Sequence, residues 1–329
     1  VNTLDTAATP SPGRALATID LDRTLIYSAA AIAEGAADPA AAAALSAAAR
    51  CVEIYQGRPQ SFMSPAAMAM LTELAARAEV VPTTTRTIEQ YRRITLPIGT
   101  PRFAITSNGG NILVNGVRDE AWSRQVSDLL GTLGAGVDAV YERLGADAAG
   151  APWLRTMRIA DGLFCYVVVE LELLPPQVVP AWASWAAERG WNVSRQGRKI
   201  YVMPDPVTKQ LAVDEVRTRL PHVPSSSYAA GDGVLDQPML VGADAAIRPR
   251  HGELEELGWR HSNVAVTDER GLAASEEMLT WLLRRAGTMV NVDEPDKSAF
   301  DRQVAGVVGA DKAQRSSIID NSTPNEGLR

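Results

Sequence analysis

Lysine is scarce in this chain: of 32 basic residues only Lys199, Lys209, Lys297 and Lys312 are lysine. Against that background a lysine at a chemically useful position carries unusual information. Cysteine is nearly absent, and Cys51 and Cys165 stand alone. That excludes a disulfide framework and any Cys-x-x-Cys zinc spacing. The three histidines, His222, His251 and His261, are scattered without a ligand pattern. Long apolar runs are missing too. The most Ala-rich stretch, Ala29 to Ala49, is broken by Glu34, Asp38 and Pro39, so it does not read as a membrane span. Residues 1–13 carry no basic patch or apolar run, so no export signal is expected and a cytoplasmic location is. The net charge of −7 argues against a nucleic-acid partner.

The composition that remains, 46% hydrophobic and 22% charged over 329 residues, is that of an ordinary globular protein. Length alone suggests about two folding units. Short apolar runs at Ala15–Asp20, Glu79–Pro82 and Phe103–Thr106 read as buried strands of a parallel sheet. Between the first two, Ser28 to Arg50 reads as a helix, and Ser64-Pro65 opens another. Asn108-Gly109-Gly110 and Asn115-Gly116 are turn signals. The rhythm then changes. A helix is expected from Ala121 to about Leu144. Strands follow at Trp153–Ala160 and Leu163–Leu171 around Asp161-Gly162, then a helix ending before Gly190 and two more strands up to Met203. After Pro206 the strand-helix alternation resumes, with Ser226–Ala230, Ala243–Ile247 and Val264–Val266 as strands. The expected organisation is a flexible N-terminus (1–14), a doubly wound Rossmann-like core (15–117 and 204–288), an inserted α+β block (118–203) and a mobile tail (289–329) with a short helix around Phe300–Val308.

Four segments fall at the ends of the predicted parallel strands, where such sheets place ligand sites. They are Asp20-Leu21-Asp22-Arg23-Thr24, the run Thr83-Thr84-Thr85-Arg86, Lys209, and Gly231-Asp232 through Asp236. Phosphate-monoester chemistry needs this set. A carboxylate nucleophile approaching a dianion requires a cation to offset repulsion, which oxygen ligands around Mg²⁺ supply. A second acid on the same loop serves the leaving oxygen. A hydroxyl and a lysine hold the remaining phosphoryl oxygens.

Asp20-Leu21-Asp22-Arg23-Thr24 after an apolar strand resembles the D-x-D-x-T signature of the haloacid dehalogenase (HAD) superfamily. Thr84, Lys209 and Gly231-Asp232…Asp236 resemble that family's second, third and fourth motifs in order. An α/β block between the second and third motifs is similar to the caps of the Cof-type, sucrose-phosphatase and mannosyl-phosphoglycerate-phosphatase branches. The resemblance covers roughly Ala15 to Arg285 and implies an HAD-like core with an inserted cap. It implies a Mg²⁺-dependent phosphomonoester hydrolase acting through an aspartyl-phosphate on a small phosphorylated metabolite, a sugar phosphate first. The alternatives are a phosphomutase or phosphotransferase of the same fold, or a non-catalytic binding protein. Carried over, Asp20 is the nucleophile and Asp22 the acid/base, while Thr84 and Lys209 hold the phosphoryl group. Asp20, Asp22 through its carbonyl, Asp232 and Asp236 surround the metal. Arg23, Thr24, Thr85, Arg86, Asn108 and Gly109 are the candidate substrate contacts. Arg23 stands where the family usually has glycine, and Thr83 and Thr85 compete with Thr84 for the motif hydroxyl.

Overall fold

The strand Ala15–Ile19 is buried along its whole length. A strand covered on both faces has none to give to water, so it need not alternate. Its side chains feed two cores. Ala17 and Ile19 join Leu71, Leu74, Leu279 and Leu282 on one face; Leu16 joins Val81, Ala212, Val216 and Leu240 on the other. The computed structural model describes residues 13–287. The expected tail, its short helix and most of the expected N-terminal segment lie outside the described residues.

Five strands run in the order Val264–Val266, Ala245–Arg248, Ser227–Ala230, Ala15–Ile19, Ala78–Pro82, and every pairing is parallel. Helices Pro65–Arg77 and Gly271–Gly287 cover one face. Lys209–Thr218 and Gln237–Gly242 cover the other. This is the expected doubly wound sheet, and it turns the loops after Ile19, Pro82, Ala230 and Arg248 toward one edge.

Between Arg118 and Lys209 lies a separate antiparallel sheet, ordered Trp191–Gln196, Lys199–Pro204, Phe164–Val169, Leu154–Ala160. Period-two alternation gives it two different faces. Cys165, Val167, Ile200 and Val202 pack with Val126, Val140, Leu144 and Trp182 from the helices Glu120–Leu130, Val137–Asp147 and Val178–Ala187. Thr156, Arg158, Tyr166, Val168, Lys199 and Tyr201 line a cleft against the core. No described helix is long and apolar enough to cross a membrane.

Four expectations needed correction. Phe103–Thr106 does run parallel beside Ala78–Pro82, but only through one bridge, Thr83 to Ile105; its ladder partner is Asn111–Val114, antiparallel. The tight turn after Thr106 sends the chain straight back, where a parallel strand needs a long crossover. The helix expected over Ala121–Leu144 is two, Glu120–Leu130 and Val137–Asp147. Gly131, Gly134 and Gly136 interrupt it, since glycine lowers helix propensity by about 1 kcal/mol each. The helix expected over Ser28–Arg50 is also two. Asp38 caps the second, its carboxylate accepting from Ala41 N at 2.8 Å, and Pro39 at the first turn cannot continue the helix before it. Finally, a hairpin of Arg50–Tyr55 and Arg58–Met63 was not foreseen. Gln56 and Gly57 turn it, both at positive φ.

Candidate active site

Asp20 leaves the central strand with its amide donating to Ala230 O at 2.9 Å, so the neighbouring strand fixes where the carboxylate starts. Lys209 opens a helix capped by Thr208, whose hydroxyl accepts from Leu211 N at 3.2 Å. The cap sets the helix start and thereby aims Lys209 inward. Its ammonium donates to Asp20 Oδ1 at 2.6 Å and to Asp236 Oδ1, with a side-chain exposure of 1%. The other Asp236 oxygen accepts from the amides of Asp232 (3.1 Å) and Gly233 (2.9 Å). Carboxylate oxygens of Asp20, Asp232 and Asp236 lie within 4.8 Å of one another. Gly252, at φ +83°, makes room for this: a Cβ there would stand 2.3 Å from Asp232 Oδ2. Thr24 is fully buried and its hydroxyl donates to Asp20 Oδ2 at 3.3 Å.

Three clustered carboxylates, two on one buried ammonium and the third 3.6 Å from the Arg23 guanidinium that Glu34 also holds, are electrostatically unbalanced. Burial pushes Asp20 up to about 7, and Asp236 adds to this while Lys209 opposes it. Asp232 is raised well above the carboxylate range by burial and by the charges of Asp20 and Asp236. Burial disfavours the charged Lys209, but Asp20 and Asp236 outweigh this and raise it. The set lacks positive charge, and its hard oxygen donors fit a small divalent cation.

Asp22 behaves differently. Its side chain is half-exposed and grips Arg86 with both oxygens, Nε to Oδ2 at 2.7 Å and Nη2 to Oδ1 at 2.8 Å. Desolvation beneath the inserted sheet raises this carboxyl, yet the Arg86 hydrogen bonds and charge prevail and hold it below its usual value. Arg86 is anchored from behind by Glu53 at 2.8 Å and Ser61 at 3.3 Å, both from the unforeseen hairpin. Arg86→Gln should therefore move the Asp22 titration to higher pH, followed by carboxyl NMR; an unmoved midpoint would show that Arg86 does not set the ionisation of Asp22.

Asp20, Asp22, Arg23, Thr85, Lys209, Asp232 and Asp236 share one cleft of ≈ 380 Å³, and Arg86 lines its continuation. Arg23, at φ +60°, pairs with Glu34 at 2.7 Å and lies 3.6 Å from Asp232. Three substrate-contact expectations are not met. Thr24 is sealed beneath Asp20. Asn108 is buried, donating to Val207 O at 3.2 Å. Gly109 backs onto Thr208, whose carbonyl would stand 2.1 Å from an added Cβ. The Asn108-Gly109 turn thus supports the segment that delivers Lys209. Thr84 is also fully buried, its hydroxyl accepting from Arg86 N at 3.1 Å, and the residue of this run that lines the cleft is Thr85.

Sequence reasoning did not single out Glu253, and it read His251 as a surface or core residue and not a ligand, which is how the ring sits. One His251 ring nitrogen, Nδ1, accepts from Gly271 N at 3.1 Å, which leaves Nε2 to donate to Arg23 O at 2.8 Å. Burial holds this ring down at about 4, so the neutral tautomer pins the loop after Asp22. Glu253 accepts from Val234 N at 2.9 Å and from Gln196 at 3.5 Å, joining the inserted sheet to the core. Both follow the strand Ala245–Arg248, so the strand-end rule that found the other segments would have found these.

No protein-family model matches the sequence, and no curated protein sequence matches it. Solved structures do. The structure is similar to the sucrose-phosphatase of Synechocystis, solved with sucrose and phosphate, at 15% identity and a TM-score of 0.57, covering 82% of this chain and 98% of that one. It is also similar to a Thermoplasma acidophilum protein at 14% identity and a TM-score of 0.51, covering 83% and 99%. The chain has the HAD-like fold with its inserted α+β block.

Proposed function

We propose that this chain of HAD-like fold is a phosphomonoester hydrolase acting on a small phosphorylated metabolite, a sugar phosphate or a relative of one. The observation that carries the reading is the meeting of Lys209, at a helix start, with Asp20, 189 positions away, and with Asp236, each from the loop after a parallel strand. Asp20 is the nucleophile: it lines the cleft, and Lys209 and Thr24 orient its two oxygens for attack on phosphorus and formation of an aspartyl-phosphate. Lys209 holds the phosphoryl oxygens, and Thr85 offers the cleft hydroxyl. Asp20, Asp232 and Asp236 hold Mg²⁺, together with the carbonyl of Asp22. The metal supplies positive charge against the repulsion between a carboxylate and a phosphate dianion.

Asp22 handles the proton. As it stands, Arg86 keeps it ionised, the form that accepts a proton from water when the aspartyl-phosphate is cleaved. Donation to the leaving oxygen needs the protonated form. An incoming phosphate dianion competes for the Arg86 guanidinium, and its release raises Asp22 toward donation. The inserted sheet closes the cleft and excludes water. Hydrolysis of p-nitrophenyl phosphate tests the reading: release of inorganic phosphate is expected, abolished by chelation and restored by Mg²⁺. Undiminished turnover after exhaustive chelation would remove the metal; no turnover of any phosphomonoester in a broad panel would remove the activity.

A further inference from the structure

The cleft-lining face of the inserted sheet has a chemistry that transfer of a phosphoryl group does not require. Its cations are not balanced. Arg158 and Lys199 line the cleft, and neither makes an ion pair or side-chain hydrogen bond with another described residue. The acids lining the same space are mostly committed. Asp22 and Glu53 hold Arg86, and Glu34 holds Arg23. One Asp161 oxygen accepts from Ile88 N at 3.0 Å, Asn111 Nδ2 at 3.1 Å and Ser107 Oγ. Glu89 alone is left. In a chain of net charge −7 with four lysines, two cations on this face without an ion-pair partner, one of them near enough to help hold Asp22 ionised, stand out against the overall charge.

Register sets the distances. Tyr201 and Thr85 line the same cleft, Thr85 at the edge of the phosphoryl site. Lys199 is two residues away on the same strand, hence on the same face and about 7 Å along it. Arg158 pairs across to Tyr166, which pairs to Tyr201, so it lies two strand spacings away, about 10 Å. The aromatic rings between them leave little alternative polar partner for either cation: Tyr166 and Tyr201 sit 6.5 Å apart by centroid, and Phe164 and Tyr201 6.3 Å. Asp22 and Thr85 line both this space and the cleft that holds Asp20, so a leaving group extending from Asp20 enters it.

Resting on the phosphatase reading above, we infer that the substrate's leaving group carries a second anionic group, a carboxylate or another phosphate, received by Lys199 and Arg158. Uncharged sugar hydroxyls would leave both cations with water and no charged partner.

The test compares kcat/KM for substrates sharing one carbon skeleton: glucose 6-phosphate, 6-phosphogluconate and glucose 1,6-bisphosphate. The wild-type protein should favour one of the two anionic compounds at least about tenfold, and which one it favours separates carboxylate from phosphate. The Arg158→Gln/Lys199→Gln variant should reduce that preference about 10- to 100-fold, as expected for losing charge-assisted hydrogen bonds. Both side chains are exposed, so the variant should melt like the wild type, which a thermal scan checks. Equal or better turnover of glucose 6-phosphate by the wild type overturns the inference, as does a variant that slows all three compounds equally. If p-nitrophenyl phosphate is hydrolysed while these results fail, only the inference falls. If it is not hydrolysed at all, the phosphatase reading falls and takes the inference with it.

Discussion

Asp20→Asn should reduce phosphomonoester hydrolysis at least about 10⁴-fold while leaving the fold intact. The amide is nearly isosteric with the carboxylate, and the contact with Lys209 can persist through its carbonyl oxygen. What it cannot do is attack phosphorus, and losing a covalent nucleophile commonly removes several powers of ten. The variant should not be less stable than the parent. Asp20 sits at about 7 in the fold because burial opposes its charge, against an ordinary carboxylate when unfolded. The folded state therefore binds the extra proton, and stability contributed by the site is lost as pH rises from the carboxylate range through about 7. An amide has no such loss, so at pH 8 without metal the variant should melt at a temperature equal to or above that of the parent. A clear fall in melting temperature, or activity within tenfold of wild type, would mean that Asp20 does something else.

Lys209→Met should act in the opposite way, on stability first. Removing the ammonium leaves Asp20 and Asp236 without their direct cationic partner at side-chain exposures of 8% and 3%. Breaking one side of a buried ion pair costs about 3–5 kcal/mol, roughly 10 °C in melting temperature for a unit of this size. The sign with pH follows from Asp20, which Lys209 holds down and which rises further once it is gone. The deficit should be largest at pH 8 and shrink toward pH 5, where protonation relieves the buried charge. Lys209→Arg, which keeps the charge, should recover part of the stability without full activity, because the longer planar group does not fit between two carboxylates placed for an ammonium. A deficit independent of pH would point to lost packing of the lysine stem instead.

The strand-end segments were legible because parallel sheets announce themselves locally: short apolar runs, each followed by a polar turn. Asp20, Lys209 and Asp232 each lie just after such a run or at a helix start with its own cap. What stayed hidden depended on pairs far apart in the chain. Nothing near Arg86 indicates that it will grip Asp22, 64 positions earlier. Nothing near Glu53 shows that its exposed-looking strand will come to back Arg86. The hairpin that carries Glu53 is weakly apolar, with Pro59 inside its second strand, so periodicity had little to detect. Asn108 and Gly109 looked like site residues because their turn before the inserted block resembles an Asn-Gly turn of the related branches. Their buried contacts with Val207 and Thr208 exist only once the chain has returned from the inserted block. Thr83 and Thr84 are both fully buried while Thr85 lines the cleft, a difference set by what packs over the strand end and not by three identical neighbours in sequence.

The most direct measurement is a rapid acid quench of the protein mixed with p-nitrophenyl phosphate and Mg²⁺, followed by peptide mass spectrometry. The account predicts one phosphoryl group on the peptide containing Asp20, absent in Asp20→Asn. Steady phosphate release with no phosphorylated peptide, or with the group on another residue, would contradict it.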